Sequence, residues 1–307
     1  MSIVKVESLS HRYHRDWAIR DISFEIERKG VLGLLGSNGA GKSTVMNILC
    51  GVLNQTEGAV SIEGFDMRQQ PEDAKRLLGF LPQNAPLHLE LTVEEYLRHC
   101  AGLRNVPDNR ITHAVKKAMD QCGVAHVSQR LLRNLSGGYR QRVGIAQAIV
   151  HKPKVVVLDE PTNGLDPNQI LEMRKLIKQV GEDSVVIFSS HILTEIQATC
   201  RDVKMIEGGR MVFADSMEAF NNHALPDSLL LSLDNPPAAE ELSAIPGVTQ
   251  VEQLSDGAIR LRFQSSPGLS KTLIRLSLER GWELTEIAME KSSLDQVFAQ
   301  LSSHRSK

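Results

Sequence analysis

The stretch "GSNGAGKST", Gly36 to Thr44, constrains this 307-residue chain more than any other. It satisfies the pattern G-x-x-x-x-G-K-[ST] and stands between an apolar run, Val31 to Leu35, and the helical pattern "TVMNILCGVL". That strand–loop–helix setting is what the motif requires. Its glycines let backbone N–H groups turn inward around a phosphate, where a Cβ would crowd the anion. Lys42 supplies an ammonium between β- and γ-phosphates, and the Ser43 hydroxyl is suited to ligate Mg²⁺. The candidate nucleotide-binding set is therefore Gly36, Ser37, Asn38, Gly39, Ala40, Gly41, Lys42, Ser43 and Thr44.

Such a site needs a carboxylate at the end of a neighbouring buried strand, and "KVVVLDE" (154–160) offers two. One acid, Asp159, can hold Mg²⁺ through water; the next, Glu160, can orient or deprotonate an attacking water. A second anion site is written in "NLSGGYRQR" (134–142). Ser136 has the chemistry of an N-cap, and Gly137 and Gly138 leave bare backbone at a helix start, whose first N–H groups lack partners.

The remaining pattern sets the fold class. The apolar runs "GVLGLLG", "KVVVLDE" and "SVVIFSSH" alternate with helical stretches, which predicts a mostly parallel sheet in an α/β domain. "IVKVESLSHRY" and "AIRDISFEI" alternate polar and apolar residues, as a half-exposed antiparallel sheet does. The segment from about Thr92 to Gln129 reads as helical, with Thr92 and Glu95 as a capping box. Near Leu225 the pattern changes. Strand "LLLSLD", helix "AAEELSAI", strands "VTQVEQL" and "AIRLRF" joined at Asp256-Gly257, helix "LSKTLIRLSLERG" and strand "WELTEIAM" follow, then a short helix at "SLDQVFAQL". That βαββαβ order is ferredoxin-like. We expect an ATP-site domain over 1–225 with a helical part at about 86–150, and an accessory α+β domain over 226–307.

Bulk properties narrow the partners. A formal charge of −2 gives no electrostatic reason to expect nucleic acid. No run approaches the ~18 apolar residues that span a bilayer, and "MSIVKVESLS" lacks the features of a signal peptide. Cys50, Cys100, Cys122 and Cys200 are far apart with no C-x-x-C pair, which suits a reducing compartment rather than zinc or a disulfide framework.

Taken together, the motifs resemble the ATP-binding subunit of an ABC transporter over about residues 3–215. "GSNGAGKST" resembles the family's Walker A loop, "VVVLDE" its Walker B strand and "LSGGY" its signature. Gln83 in "GFLPQNAPL" corresponds to the Q-loop, Asp166 in "PTNGLD" to the D-loop, His191 to the switch histidine, and Tyr13 to the aromatic that stacks on adenine, with Trp17 close enough in sequence to share it. The resemblance implies a P-loop NTPase fold and ATP hydrolysis. Glu160, His191 and Gln83 would be catalytic, and Ser43, Gln83 and Asp159 would hold Mg²⁺. It also implies a dimer (of identical or paired ABC subunits) in which Ser136, Gly137 and Gly138 bind the γ-phosphate held by the partner. A separate integral membrane permease would hold the chain on the cytoplasmic face of the inner membrane. That partner should dock near Leu87, Leu89 and Tyr96. Position 139 departs from the family's usual Gln; the phosphate-binding atoms come from Ser136 and the glycine backbone, so activity should survive Tyr139. "SSLDQVF" (292–298) resembles the tail of exporter subunits, including those of gliding motility and of drug or polymer efflux. Export is the leading expectation, ahead of an importer or a soluble ABC ATPase acting outside transport.

Overall fold

The computed structural model describes residues 2–223, 228–254, 257–263 and 268–290. The chain divides into two units, Met1–Phe220 and Asn221–Lys307. The boundary expected near Leu225, Asp256 of the expected turn and the helix expected at 293–301 lie outside the described residues.

The first unit runs β1 (Val4–Tyr13), β2 (Asp16–Ile26), β3 (Gly30–Leu35), α1 (Lys42–Leu49), β4 (Glu57–Ile62), β5 (Phe65–Asp66), α2 (Pro71–Arg76) and β6 (Leu78–Leu81). It continues through α3 (Val93–Leu103), α4 (Asp108–Cys122), α5 (Gly137–Ile149), β7 (Val155–Asp159), α6 (Pro167–Asp183) and β8 (Val185–Ser190). Then come α7 (Leu193–Thr199), β9 (Asp202–Glu207), β10 (Arg210–Ser216) and α8 (Met217–His223), whose last three residues fall in the second unit. The valine-rich runs behave as predicted: every residue of β7 and β8 is buried, so both faces of those strands are covered. They belong to a six-stranded sheet of order β10-β9-β3-β8-β7-β6, parallel except for β10 on β9.

Register is what builds the site. Leu35 pairs with Ser190 and Asp159 with Ser189, so β3, β7 and β8 end level with one another. The loop after β3, the acids after β7 and the histidine after β8 leave the sheet at the same edge. Ligands of open parallel sheets bind at that carboxyl edge.

The alternating N-terminal segments form an antiparallel sheet, β2-β1-β4-β5. Its apolar face (Val4, Val6, Leu9, Ile19, Ile22, Val60, Ile62) shares one core with Val45, Met46, Ile48 and Leu49 of α1 and Leu34 of β3. Helix α1, and with it the loop that opens α1, is thereby clamped between two sheets. The capping box is present: Thr92 Oγ1 accepts from the Glu95 N–H at 3.3 Å, and Glu95 Oε2 accepts from the Thr92 N–H at 2.8 Å. Strands β9 and β10 escape a pattern search, because β10 is only partly buried.

The second unit contains β11 (Ser228–Leu233), α9 (Ala239–Ser243), β12 (Val248–Gln253), β13 (Ile259–Phe263), α10 (Leu269–Arg280) and β14 (Leu284–Met289). The strands pair antiparallel in the order β12-β13-β11-β14, which is the ferredoxin-like arrangement. Trp282 does not begin the last strand as its pattern suggested. Instead it is buried among Leu229, Leu231, Leu242 and Leu273, where its large apolar surface is worth more than a strand position. No described helix is long and apolar enough to cross a membrane.

Candidate nucleotide-binding site

Geometry forces glycine at the base of the loop: a Cβ on Gly36 would overlap the carbonyl oxygen of Ile206, a backbone atom of β9. Gly41 precedes α1 with φ +107°, a conformation L side chains rarely adopt, and a Cβ there would also lie 2.5 Å from Ile19 Cγ2. Helix α1 has neither a side-chain cap nor an acid in its first turn. Its leading N–H groups and positive dipole end are left for an anion.

Lys42 is 5% exposed and bends back over the loop, its Nζ donating to the carbonyls of Gly36 (2.9 Å) and Ser37 (3.0 Å). Burial lowers its pKa, and the charges of Glu160, Asp159 and Glu207 oppose that shift. The Glu160 carboxylate stands 3.9 Å from the ammonium. Ser37 donates to both oxygens of Glu207 (3.0 and 2.8 Å), and the Ala40 N–H donates to the Ser37 carbonyl at 3.2 Å. These bonds preform the loop.

Beside it, Asp159 Oδ1 accepts from Ser189 Oγ at 2.6 Å, and the same hydroxyl accepts from the Glu160 N–H at 2.9 Å. Glu160 has φ +47°. A left-handed non-glycine residue costs on the order of 1 kcal/mol and persists where its surroundings hold it. Here it turns the side chain out of the strand line, so that Oε1 lies 3.1 Å from His191 Nδ1.

Tyr13, Asn38, Gly39, Gly41, Lys42, Ser43, Thr44, Gln83, Glu160 and His191 line one cavity of about 710 Å³, together with Ala18 and Asn163. Gly36, Ser37 and Ala40 form the loop behind that wall, and Asp159 is buried beside Glu160. Tyr13 is 48% exposed, with its ring edge-on to His11. Trp17 packs instead with the guanidinium groups of Arg12 and Arg20. The cavity fits a nucleotide in size, in its Cβ-free cradle and in its buried ammonium.

The signature lies elsewhere. Ser136 and Gly138 line a different cavity of about 540 Å³, with Tyr139, Arg142 and Gln169. Ser136 occupies the N-cap position of α5, but its side chain makes no capping bond. Ser136 and Gly137 are exposed, while Gly138 is buried against the Gln169 side chain. Asp166 caps α6 by accepting from the Gln169 N–H at 2.9 Å. Of the expected docking residues Leu89 is exposed and Leu87 half-buried, but Tyr96 is 5% exposed, because the fourth position of α3 turns into the helical packing with Val93, Leu97 and Cys100.

Several residues of the site carried no sequence signal. Ser189, next to last in β8, and Glu207, last in β9, read as ordinary strand-end residues. Glu195, 2% exposed, sits at a helical position that looks solvated in the sequence.

Comparison with known proteins places these observations. The pattern of the family described as "ABC transporter" matches residues 19–163. The ABC transporter ATP-binding protein NatA of Bacillus subtilis (strain 168) is 34% identical over 204 residues, 66% of this chain and 83% of that protein. The bacitracin transport ATP-binding protein BcrA of Bacillus licheniformis is 30% identical over 305 residues, 98% of this chain and 97% of that protein. Among solved structures, cbiO1 of Clostridium perfringens, part of the transporter complex cbiONQ, superposes with a TM-score of 0.66 at 28% identity. It covers 72% of this chain and 91% of its own.

Proposed function

The chain belongs to the ATP-binding subunits of ABC transporters, and on that premise we propose that two copies close head to tail around two ATP molecules to drive export through a separate membrane-embedded subunit. It is an ATPase, and its own residues supply the hydrolytic chemistry. The observation that carries this reading is the single cavity shared by Lys42, Ser43, Gln83, Glu160 and His191.

Tyr13 offers a face to adenine. The triphosphate follows the loop, where the N–H groups opening α1 and the Lys42 ammonium meet its charge. Ser43, Gln83 and Asp159 would hold Mg²⁺, which when bound neutralises charge on the phosphate oxygens. Glu160 accepts a proton from the attacking water as its oxygen bonds to the γ-phosphorus. The bond from that phosphorus to the β–γ bridging oxygen breaks, giving ADP and phosphate. His191 contacts the γ-phosphate and steadies the carboxylate 3.1 Å away.

Ser136, Gly137 and Gly138 serve the partner's nucleotide. The exposure of Ser136 and Gly137 at the start of α5, and the separate cavity lined by Ser136 and Gly138, support that role. The near full-length similarity to a bacitracin transport subunit and the "SSLDQVF" tail support export. Docking to the membrane subunit would place the chain on the cytoplasmic face of the membrane. Purification from detergent-solubilised membranes tests this: an integral membrane protein should co-elute and crosslink to Leu87 and Leu89. Crosslinks confined to residues 228–290 would contradict the docking surface.

A further inference from the structure

Glu195 is a buried carboxylate that the chemistry above does not use. It lies in α7, four residues past His191, at 2% exposure. Burying a carboxylate costs free energy unless hydrogen bonds compensate it. Its Oε2 accepts from Thr162 Oγ1 at 2.7 Å and from Ser190 Oγ at 2.8 Å.

Those two hydroxyls belong to different segments of the chain. Thr162 stands two residues past Glu160, on the chain leaving β7, and Ser190 is the last residue of β8, next to His191. Ser190 Oγ also accepts from the Ile192 N–H at 3.0 Å, which fixes the hydroxyl from both sides. One carboxylate oxygen therefore ties the segment after Glu160 to the segment that carries His191. On the opposite side Ser189 makes a parallel tie, bonding Asp159 and the Glu160 N–H. Between the two ties sit Glu160, in its left-handed backbone conformation, and His191.

We propose that Glu195 is a positioning residue, holding the loop beyond Glu160 against the end of β8 so that Glu160 and His191 stay paired for hydrolysis. The proposal rests on the catalytic reading of Glu160 and His191 given above. Removing the carboxylate leaves two buried hydroxyls without their acceptor and cuts the tie from Thr162 to the end of β8, while the Ser189 bond to the Glu160 N–H remains. Lys42 and the phosphate loop keep their bonds to Gly36, Ser37 and Glu207. A loss should therefore fall on turnover and spare ATP binding.

The test is a cycle in the full-length protein: Glu195→Ala, Glu195→Gln and Thr162→Val, each alone and combined with Glu160→Gln. Steady-state and single-turnover phosphate release, ATP affinity and Tm are read for each. A misplacement of about 1 Å costs up to ~10²-fold in rate, so Glu195→Ala should lower kcat by about 10–100-fold while KM stays within about threefold of wild type. Glu195→Gln keeps an acceptor oxygen for both hydroxyls and should restore kcat to within about fivefold. Thr162→Val removes one donor at constant volume and should give a smaller loss of the same kind; it carries the test if the alanine variant does not fold. In the Glu160→Gln background the added Glu195→Ala change should cost less than about twofold, since the group it positions has lost its function. Equal losses in both backgrounds would overturn the proposal, as would wild-type kcat in both Glu195→Ala and Thr162→Val, or a loss that merely tracks ATP affinity and Tm. Wild-type hydrolysis by Glu160→Gln alone would instead refute the underlying assignment of Glu160, and that variant is read first.

Discussion

Changing Glu160 to Gln probes the base and the electrostatics of the site together. The amide keeps the size of the side chain, and the Glu160 N–H bond to Ser189 Oγ is a backbone bond, untouched by the substitution. What disappears is one negative charge, 3.1 Å from His191 Nδ1 and 3.9 Å from Lys42 Nζ. Loss of a positioned general base costs ~10²–10⁴-fold in rate. Binding should move the other way. At 3.9 Å the gross attraction between Glu160 and Lys42 is about 4 kcal/mol for an effective dielectric of 20. That figure bounds the gain when Lys42 is released to the phosphates. If about a third survives competition from solvent and from Asp159 and Glu207, ATP binds about tenfold more tightly. The assay pairs phosphate release with equilibrium ATP binding at fixed Mg²⁺. Size exclusion should show the variant as a dimer with ATP, because the closed state no longer hydrolyses its way open. Undiminished ATPase activity would remove Glu160 as the base. A hundredfold loss of ATP affinity would refute the electrostatic argument.

Three further outcomes follow from the same geometry. Lys42→Ala removes two charge-assisted hydrogen bonds and the buried ammonium, so ATP affinity should fall by about 10–100-fold and turnover should cease; normal hydrolysis would refute the site. Gly36→Ala puts a methyl group into the Ile206 carbonyl, a backbone clash costing about 1–3 kcal/mol; Tm should fall by about 2–10 °C together with ATP affinity, and an unchanged Tm would show that the loop can shift freely. His151 has its pKa lowered to about 4 by burial and the Arg104 charge, opposed by its bond to the Leu78 carbonyl at 3.0 Å. The native protein thus resists a proton that the unfolded chain accepts near 6.5. Its contribution is complete above about 6.5 and is lost as pH falls toward 4, by at most about 1.4 kcal/mol per pH unit. Denaturation curves of wild type and His151→Gln at pH 7 and pH 5 should show a shallower loss in the variant; parallel losses would contradict this.

What the sequence disclosed and what it concealed divide along a physical line. The loop from Gly36 to Thr44 was legible because strand, turn and helix are contiguous, and glycine's tolerance of φ near +107° at Gly41 is written in the residue itself. The buried strands β7 and β8 were legible as β-branched runs, and the βαββαβ order of the second unit by its alternation. Their placement side by side was not. The adjacency of β3, β8 and β7 skips long stretches of chain, and it lets Ser189 bridge to Asp159 and the Glu160 N–H, 30 and 29 residues earlier in sequence. Glu195 was hidden for the same reason, since its partners lie beyond the end of β7 and at the end of β8. Tyr96 shows the opposite error, an amphipathic aromatic taken for a docking residue that helix packing buries.

The claim on which the account stands is that each nucleotide is shared between the loop of one copy and the signature of another. Ser136→Arg fills the signature, and Lys42→Ala empties the loop; neither variant should hydrolyse ATP alone. Ser136→Arg should still bind ATP nearly as wild type does, because Ser136 lines a different cavity from Lys42. Mixed in equal amounts, the two inactive variants should recover ATPase activity, since half of the pairs contain one intact loop facing one intact signature. Activity that stays absent on mixing, with ATP affinity of Ser136→Arg falling as far as that of Lys42→Ala, would mean that loop and signature act within one chain.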